Sequence, residues 1–203
     1  DEVVQHGEIV WLILSDDAAV RDVVNQIQTF AKPGLVVVDS STIHPNTSKA
    51  MAAQLANNDI TYLDAPVTGS KKAAEAGQLF FLVGGDAKAY ENCGPLFDVM
   101  GRRHLRLGDS GMGTAAKIGN NMMCAANLAA FAEAMVAVER FGLDPRLFFE
   151  VICNSGGQSA MATQKGPRML AHDFANPDFV LPLMFKDASI GADFARGVHA
   201  HTP

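Results

Sequence analysis

The chain has 203 residues, 48% hydrophobic and 19% charged, which is enough to bury one large core or two modest ones and too apolar for disorder. A formal net charge of -6 with no block of Lys or Arg excludes a broad nucleic-acid footprint and leaves room only for a local basic pocket. Cys93, Cys124 and Cys153 are far apart and odd in number, and the six histidines lack ligand spacing, so a reducing compartment is expected, with neither disulfide framework nor zinc site.

In chain order, a buried-type strand, Glu8 to Leu14 (EIVWLIL), begins within ten residues of an N-terminal Asp. The other end stops in His-Thr-Pro after a helical pattern, so the chain is expected to be cut at both ends, with no targeting segment to read. Ser15-Asp16-Asp17 is a helix N-cap signal, and Ala18 to Phe30 follows with helical spacing. Pro33-Gly34 turns into a second strand, Leu35 to Asp39, which ends in Ser40-Ser41-Thr42. His44-Pro45 opens a helix to about Asn57. A third strand, Ile60 to Asp64, leads to Ala65-Pro66-Val67-Thr68-Gly69-Ser70. Leu79 to Gly85 reads as a strand, Asp86 to Met100 as a helix and Arg103 to Gly108 as a last strand. Short apolar strands alternating with helices predict a parallel sheet covered on both faces, with ligands bound beyond the carboxyl ends of its strands.

Beyond Gly113 the pattern becomes all-α. Thr114 to Phe141 has no Pro and is rich in Ala, Met and Asn, giving about 42 Å of helix. Apolar and small residues fall on nearly every side, so a buried central helix is expected. No apolar run is expected to span a membrane. Arg146 to Cys153, Ala160 to Leu170 and Met184 to Val198 also read as helices. The domain boundary is placed near Gly111 to Gly113, with an α/β domain at 1–111 and an all-α domain at 112–203.

Lys117 stands out. It lies in the first turns of the long helix, and the next charged residue is Glu133. An ammonium among apolar neighbours is costly, and burial draws its pKa toward neutrality, which suits proton transfer. Asn121, four residues on, projects from the same face. The alternative is a lysine whose stem packs while its head reaches water. Gly108, Gly111 and Gly113 lack nucleotide-fingerprint spacing and are expected to let backbone approach the helix closely. Gly69 permits a turn whose N–H groups converge on an anion, with the Thr68 and Ser70 hydroxyls as further donors; an ordinary polar turn is the alternative.

Together these segments resemble the β-hydroxyacid dehydrogenase family. Asp39-Ser40-Ser41-Thr42-Ile43 with Pro45 is similar to the family's post-strand segment. Asp64 to Ser70, then Gly77-Gln78-Leu79 and Val83-Gly84-Gly85, is similar to its substrate-binding stretch. Gly111 to Asn121 is similar to its catalytic segment, and Lys186-Asp187 to its late Lys-Asp pair. Gly69 to Leu79 and Phe97 to Arg103 resemble the glyoxylate/succinic semialdehyde reductase branch. The resemblance implies an NAD(P)-dependent oxidoreductase that interconverts a small carboxylate-bearing aldehyde and its hydroxy acid. It implies residues 1–111 as the C-terminal part of a dinucleotide-binding Rossmann-type α/β domain, N-terminally incomplete, and residues 112–203 as a truncated helical substrate and oligomerisation domain. It implies Lys117 as general acid and base, Asn121 as its partner at the substrate, and Thr68, Gly69 and Ser70 as binders of the substrate carboxylate. Phe179 and Asp187 would complete the pocket wall. Leu14 and Ser15 would lie against the cofactor's adenosine side, Thr42 near the nicotinamide and Lys186 near the cofactor as a cation.

The family commonly has Ser where this chain has Thr68, and the extra methyl would narrow the pocket. The glycine-rich pyrophosphate turn and the residue that reads the ribose 2′ position would precede residue 1, so NAD and NADP are not distinguished. A homo-oligomer is expected, with a small carboxylate substrate and neither nucleic acid nor membrane as partner; a bacterial cytoplasm is the default location. Two other readings stand beside this one: an imine reductase, which would carry a different donor in place of Lys117, and a non-catalytic scaffold relative, which would be expected to lose the lysine.

Overall fold

The computed structural model describes residues 2–175, 177 and 179–202. The chain forms two compact units: one runs to Gly119 and takes in the residues from Ser189, and the other is Asn120–Ala188.

The first unit contains α1 (Glu2–His6), β1 (Ile9–Leu12), α2 (Asp17–Phe30), β2 (Val36–Asp39), α3 (Pro45–Ala56), β3 (Thr61–Asp64), β4 (Val67–Thr68), α4 (Lys71–Glu75), β5 (Leu79–Gly84), α5 (Ala87–Met100) and β6 (Gly101–Gly108). It also holds the start of α6 (Met112–Phe141) and the end of α9 (Leu181–Gly197). The helix starts follow the predicted chemistry: the Asp16 side chain accepts from the Ala19 N–H at 2.9 Å and that of Asp86 from the Ala89 N–H at 2.8 Å. Such caps satisfy amides that the first turn leaves without a partner. The long apolar run at residues 8–14 yields only four strand residues, because Ile13 turns outward and is 71% exposed.

The sheet is mixed, which corrects the expectation of a wholly parallel one. β1, β2 and β3 are parallel neighbours, but β5 runs antiparallel to both β3 and β4, and β6 is parallel to β5. The reason is chain length. A parallel return needs a crossover of about a dozen residues or more, whereas antiparallel neighbours accept a shorter link. Residues 69–78 between β4 and β5 hold only the short α4 and a glycine turn, while α5 gives β5 and β6 a full crossover.

Each face of the sheet has its own core. Val20, Val24 and Ile27 of α2 and Met51 and Leu55 of α3 cover Val37 and Tyr62. Cys93 and Phe97 of α5 cover Val38, Leu63, Phe81 and Val83 on the other side. Adjacent residues of β2 and β3 thus point to opposite cores, as the period of two requires.

The second unit contains the rest of α6, α7 (Pro145–Cys153), α8 (Ala160–Leu170) and the first part of α9. Phe131 and Met135 of α6 pack there with Ala162 of α8 and Phe148, Phe149 and Ile152 of α7. Burial of α6 on nearly every face is not observed: Met123 is 62% exposed and Phe141 94%. An apolar sequence provides surface to bury but not the neighbours to cover it, and α7 and α8 cover one strip. The composition reading is also corrected on a second point. An 18-residue window of α6 has mean hydropathy 1.4, so by length and composition this helix could cross a membrane. Its first turn is nonetheless hydrogen-bonded into the sheet unit, as described next.

Candidate active site

The carboxyl ends of β1 and β2 are tied together by short polar side chains. The Leu14 N–H donates to Ser41 Oγ at 2.8 Å, and the Ser41 N–H donates to Asp39 Oδ1 at 2.9 Å. Ser40 Oγ accepts from the Trp11 indole N–H and donates to the Ala65 carbonyl, each at 2.9 Å. The turn at 40–42 is therefore fixed from three sides, with Thr42 half-buried beside it. Ser15 is exposed at the end of β1 and donates to Asp16. Leu14, Ser15 and Thr42 thus meet at one sheet edge.

Beneath that edge lies a buried polar chain. The Tyr62 hydroxyl donates to Asp39 Oδ2 at 2.6 Å. Burial pushes the Asp39 carboxyl above its ordinary value, with hydrogen bonds from Ser41 and Tyr62 opposing part of the shift. Burial, and then the charge of Asp39, pushes the Tyr62 hydroxyl well upward. At the end of β3, Asp64 Oδ1 accepts from the Gly111 N–H at 2.7 Å, and Oδ2 accepts from the Thr114 N–H at 2.8 Å and the Thr114 hydroxyl at 3.0 Å. Burial raises this carboxyl too, and the same three hydrogen bonds partly offset the rise. Ser48 Oγ of α3 lies 2.8 Å from Thr114 Oγ1.

These contacts set the start of α6. Gly111 has φ +92°, and a Cβ on Gly113 would stand 2.2 Å from the Leu82 carbonyl oxygen and 2.6 Å from that of Asp64. The close backbone approach expected of the glycines is present here, against the sheet. Lys117 follows one turn later and is half-buried. Thr68 ends β4, half-buried and paired with Phe80. Gly69 has φ +140°, a conformation that side chains disfavour. Ser70 is exposed and caps α4, its Oγ accepting from the Ala73 N–H at 3.4 Å; the hydroxyl proton is still a donor.

In the second unit Asn121, Asp187 and Lys186 come together. Asn121 is buried; its amide donates to Asp187 Oδ2 at 2.6 Å, and its oxygen accepts from the Asn120 amide at 3.1 Å. Asp187 is 3% exposed, and its Oδ1 forms an ion pair with Lys186 Nζ at 3.1 Å without hydrogen-bond geometry. Phe179, by contrast, is 42% exposed and precedes α9. Sequence reasoning missed the roles of Asp39, Tyr62 and Asp64. The available signal was that two buried-type strands each close on an aspartate, Val36–Asp39 and Thr61–Asp64.

Two family models match the chain end to end. The NAD binding domain of 6-phosphogluconate dehydrogenase covers residues 1–108, and the NAD-binding domain of NADP-dependent 3-hydroxyisobutyrate dehydrogenase covers residues 111–203. The chain is 34% identical to 2-(hydroxymethyl)glutarate dehydrogenase of Eubacterium barkeri, over 96% of this chain and 66% of that protein. It is 33% identical to the chloroplastic glyoxylate/succinic semialdehyde reductase 2 of Arabidopsis thaliana, over 100% of this chain and 57% of that one. It superimposes with TM-score 0.93 on the Mycobacterium tuberculosis 3-hydroxyisobutyrate dehydrogenase solved with L-serine, at 31% identity, covering 100% of this chain and 72% of the other. The chain therefore spans less than two thirds of the length of the first two relatives. Matches this extensive, falling on the segments that hold the sheet edge and the start of α6, lead to one placement: the chain belongs to the β-hydroxyacid dehydrogenase family.

Proposed function

We propose that the whole protein is an NAD(P)-dependent oxidoreductase interconverting a small carboxylate-bearing aldehyde and its hydroxy acid, with Lys117 as general acid and base. The observation that carries this reading is the position of Lys117. It is half-buried one turn into a helix clamped to the sheet, and no other charged residue precedes Glu133 on that helix. In the reductive direction its ammonium gives a proton to the carbonyl oxygen as negative charge builds there; in reverse its amine takes that proton back. The nicotinamide, when bound, supplies or accepts the hydride.

The sheet edge fits such a cofactor. Leu14, Ser15 and Thr42 stand at the carboxyl ends of parallel strands, where open α/β sheets bind ligands, and the 40–42 turn is rigidly held. Thr68, Gly69 and Ser70 bind the substrate carboxylate through hydroxyl and turn N–H donors. Within the second unit Asn121, held by Asp187 with Lys186 beside it, is assigned to the substrate, Lys186 to the cofactor as a cation and Phe179 to the apolar wall. The M. tuberculosis relative was solved with L-serine, itself a β-hydroxy carboxylate, which supports this substrate class. Residues 1–111 supply the cofactor-binding strand ends and the substrate-binding turn, residues 112–203 supply the proton donor, further substrate contacts and self-association, and the protein works as a cytoplasmic homo-oligomer.

The test is an assay of the full-length protein with NADH and NADPH against glyoxylate, succinic semialdehyde, methylmalonate semialdehyde and a cyclic imine. Lys117→Ala is expected to lower carbonyl reduction by about 10²–10⁴-fold. Near-normal turnover in that variant would remove the mechanism, and reduction of the imine alone would replace the substrate class.

A further inference from the structure

The helix that carries Lys117 is capped from another element. A helix start is ordinarily capped by the side chain just before it, which ties the helix only to its own loop. Here the acceptor is Asp64, 47 residues before Gly111 and 50 before Thr114. A remote cap fixes the helix start relative to a strand. The Gly111 N–H, the Thr114 N–H and the Thr114 hydroxyl converge on one carboxylate that is 1% exposed.

The surroundings leave the turn little freedom. An added Cβ on Gly84 would stand 2.6 Å from Asp64 Oδ1, so the backbone of β5 closes over the carboxylate. The backbone of Gly113 lies against the Leu82 carbonyl in the same way. Thr114 is fully buried, and its hydroxyl meets both Asp64 and Ser48 of α3. Lys117 is three residues further on, about 4.5 Å of helical rise, with unbroken helix in between. In the other direction Asp64 is four residues before Thr68 along one extended segment. The same carboxylate thus joins the start of the lysine's helix to the strand that ends in the threonine-glycine-serine turn.

A buried carboxylate is an expensive cap, since desolvation opposes its charge, whereas Ser or Asn would satisfy helix amides at lower cost. Its gain is strength: charge-assisted hydrogen bonds are shorter and about twice as strong as neutral ones, and the positive end of the helix dipole adds to them.

We propose that Asp64 is a positioning residue for Lys117, fixing the start of α6 so that the amine keeps its place relative to Thr68, Gly69 and Ser70. This inference rests on the reading of Lys117 as proton donor. It is tested in the full-length protein with Asp64→Ala, Asp64→Asn, Thr114→Val, Thr114→Ser and Lys117→Ala, following kcat and KM for the best aldehyde, NAD(P)H binding by fluorescence, and thermal unfolding. A misplacement on the ångström scale costs about 10²-fold, so Asp64→Ala is expected to lower kcat by about that factor, with cofactor affinity within about twofold. Asp64→Asn, which keeps an acceptor, is expected to fall in between. Thr114→Val is expected to lower kcat about tenfold and Thr114→Ser to restore most of it, by the same positional sensitivity. If Asp64→Ala does not fold, the Thr114 pair decides. The inference is overturned if kcat is unchanged in Asp64→Ala or Thr114→Val while Lys117→Ala is inactive, or if Thr114→Ser recovers nothing over Thr114→Val. An active Lys117→Ala overturns the lysine's role itself, whatever the Asp64 variants do.

Discussion

Asp39 and Asp64 are register partners on adjacent strands, and both are buried, yet they serve different neighbours. Asp39 holds the 40–42 turn through Ser41 and receives Tyr62; Asp64 holds α6. The raised carboxyl of Asp39 has a consequence for stability. Between its unfolded value, near 3.8, and its higher folded value the native state binds more protons than the unfolded chain. Its stabilising contribution is therefore full below the unfolded value and is lost as pH rises through the folded one. Asp39→Asn lacks this titration. Urea unfolding of both proteins from acid to neutral pH should show the variant gaining on the parent as pH rises; a flat or opposite trend would contradict the burial described. Lys117 was legible in the sequence because it is the one charge in the first 21 residues of the long helix, before Glu133. Asp64 was not, because an aspartate after an apolar run reads as the start of a loop, and its partners lie 47 and 50 residues away. The Asn121–Asp187 pair, 66 residues apart, was hidden for the same reason.

At the scale of elements, two glycines of α6 make opposite predictions. Gly113→Ala places a methyl 2.2 Å from a strand carbonyl that cannot yield, and is expected to cost roughly 1–3 kcal/mol or more in chemical denaturation. Gly119 has nothing within 4 Å of an added Cβ, so Gly119→Ala is expected to be neutral or to stabilise by up to about 1 kcal/mol through helix propensity. Equal effects at the two positions would show that the clamp at the helix start is absent. Most elements announce themselves locally: α2, α5 and α8 each begin at a side chain of the expected capping type, and β2 and β3 are short β-branched or aromatic runs. β4 and α4 do not, since two and five residues are too few to display a period. Strand direction is not legible either, because period-two burial looks the same either way along a strand and the link length decides it.

For the whole molecule, the exposed side of α6 bears on assembly. Met123 and Phe141, which share a face at 3.6 residues per turn, lie open along it at 62% and 94% exposure. Exposed apolar surface of this kind favours a partner. Light scattering on the intact protein is expected to give a dimer or larger, and a monomeric mass at micromolar concentration would count against self-association. The boundary between the two units has a further effect. It falls inside two helices, after Gly119 in α6 and after Ala188 in α9, not in loops. The sheet unit consequently takes back a piece of distant chain, including Ala195, 3% exposed, and Phe194, whose ring meets that of His44 at 6.3 Å. A recombinant fragment stopping at Gly119 leaves that patch uncovered, so dissecting the protein requires supplying the returning helix as a fused or co-expressed peptide. Limited proteolysis should correspondingly spare both crossing points and nick elsewhere.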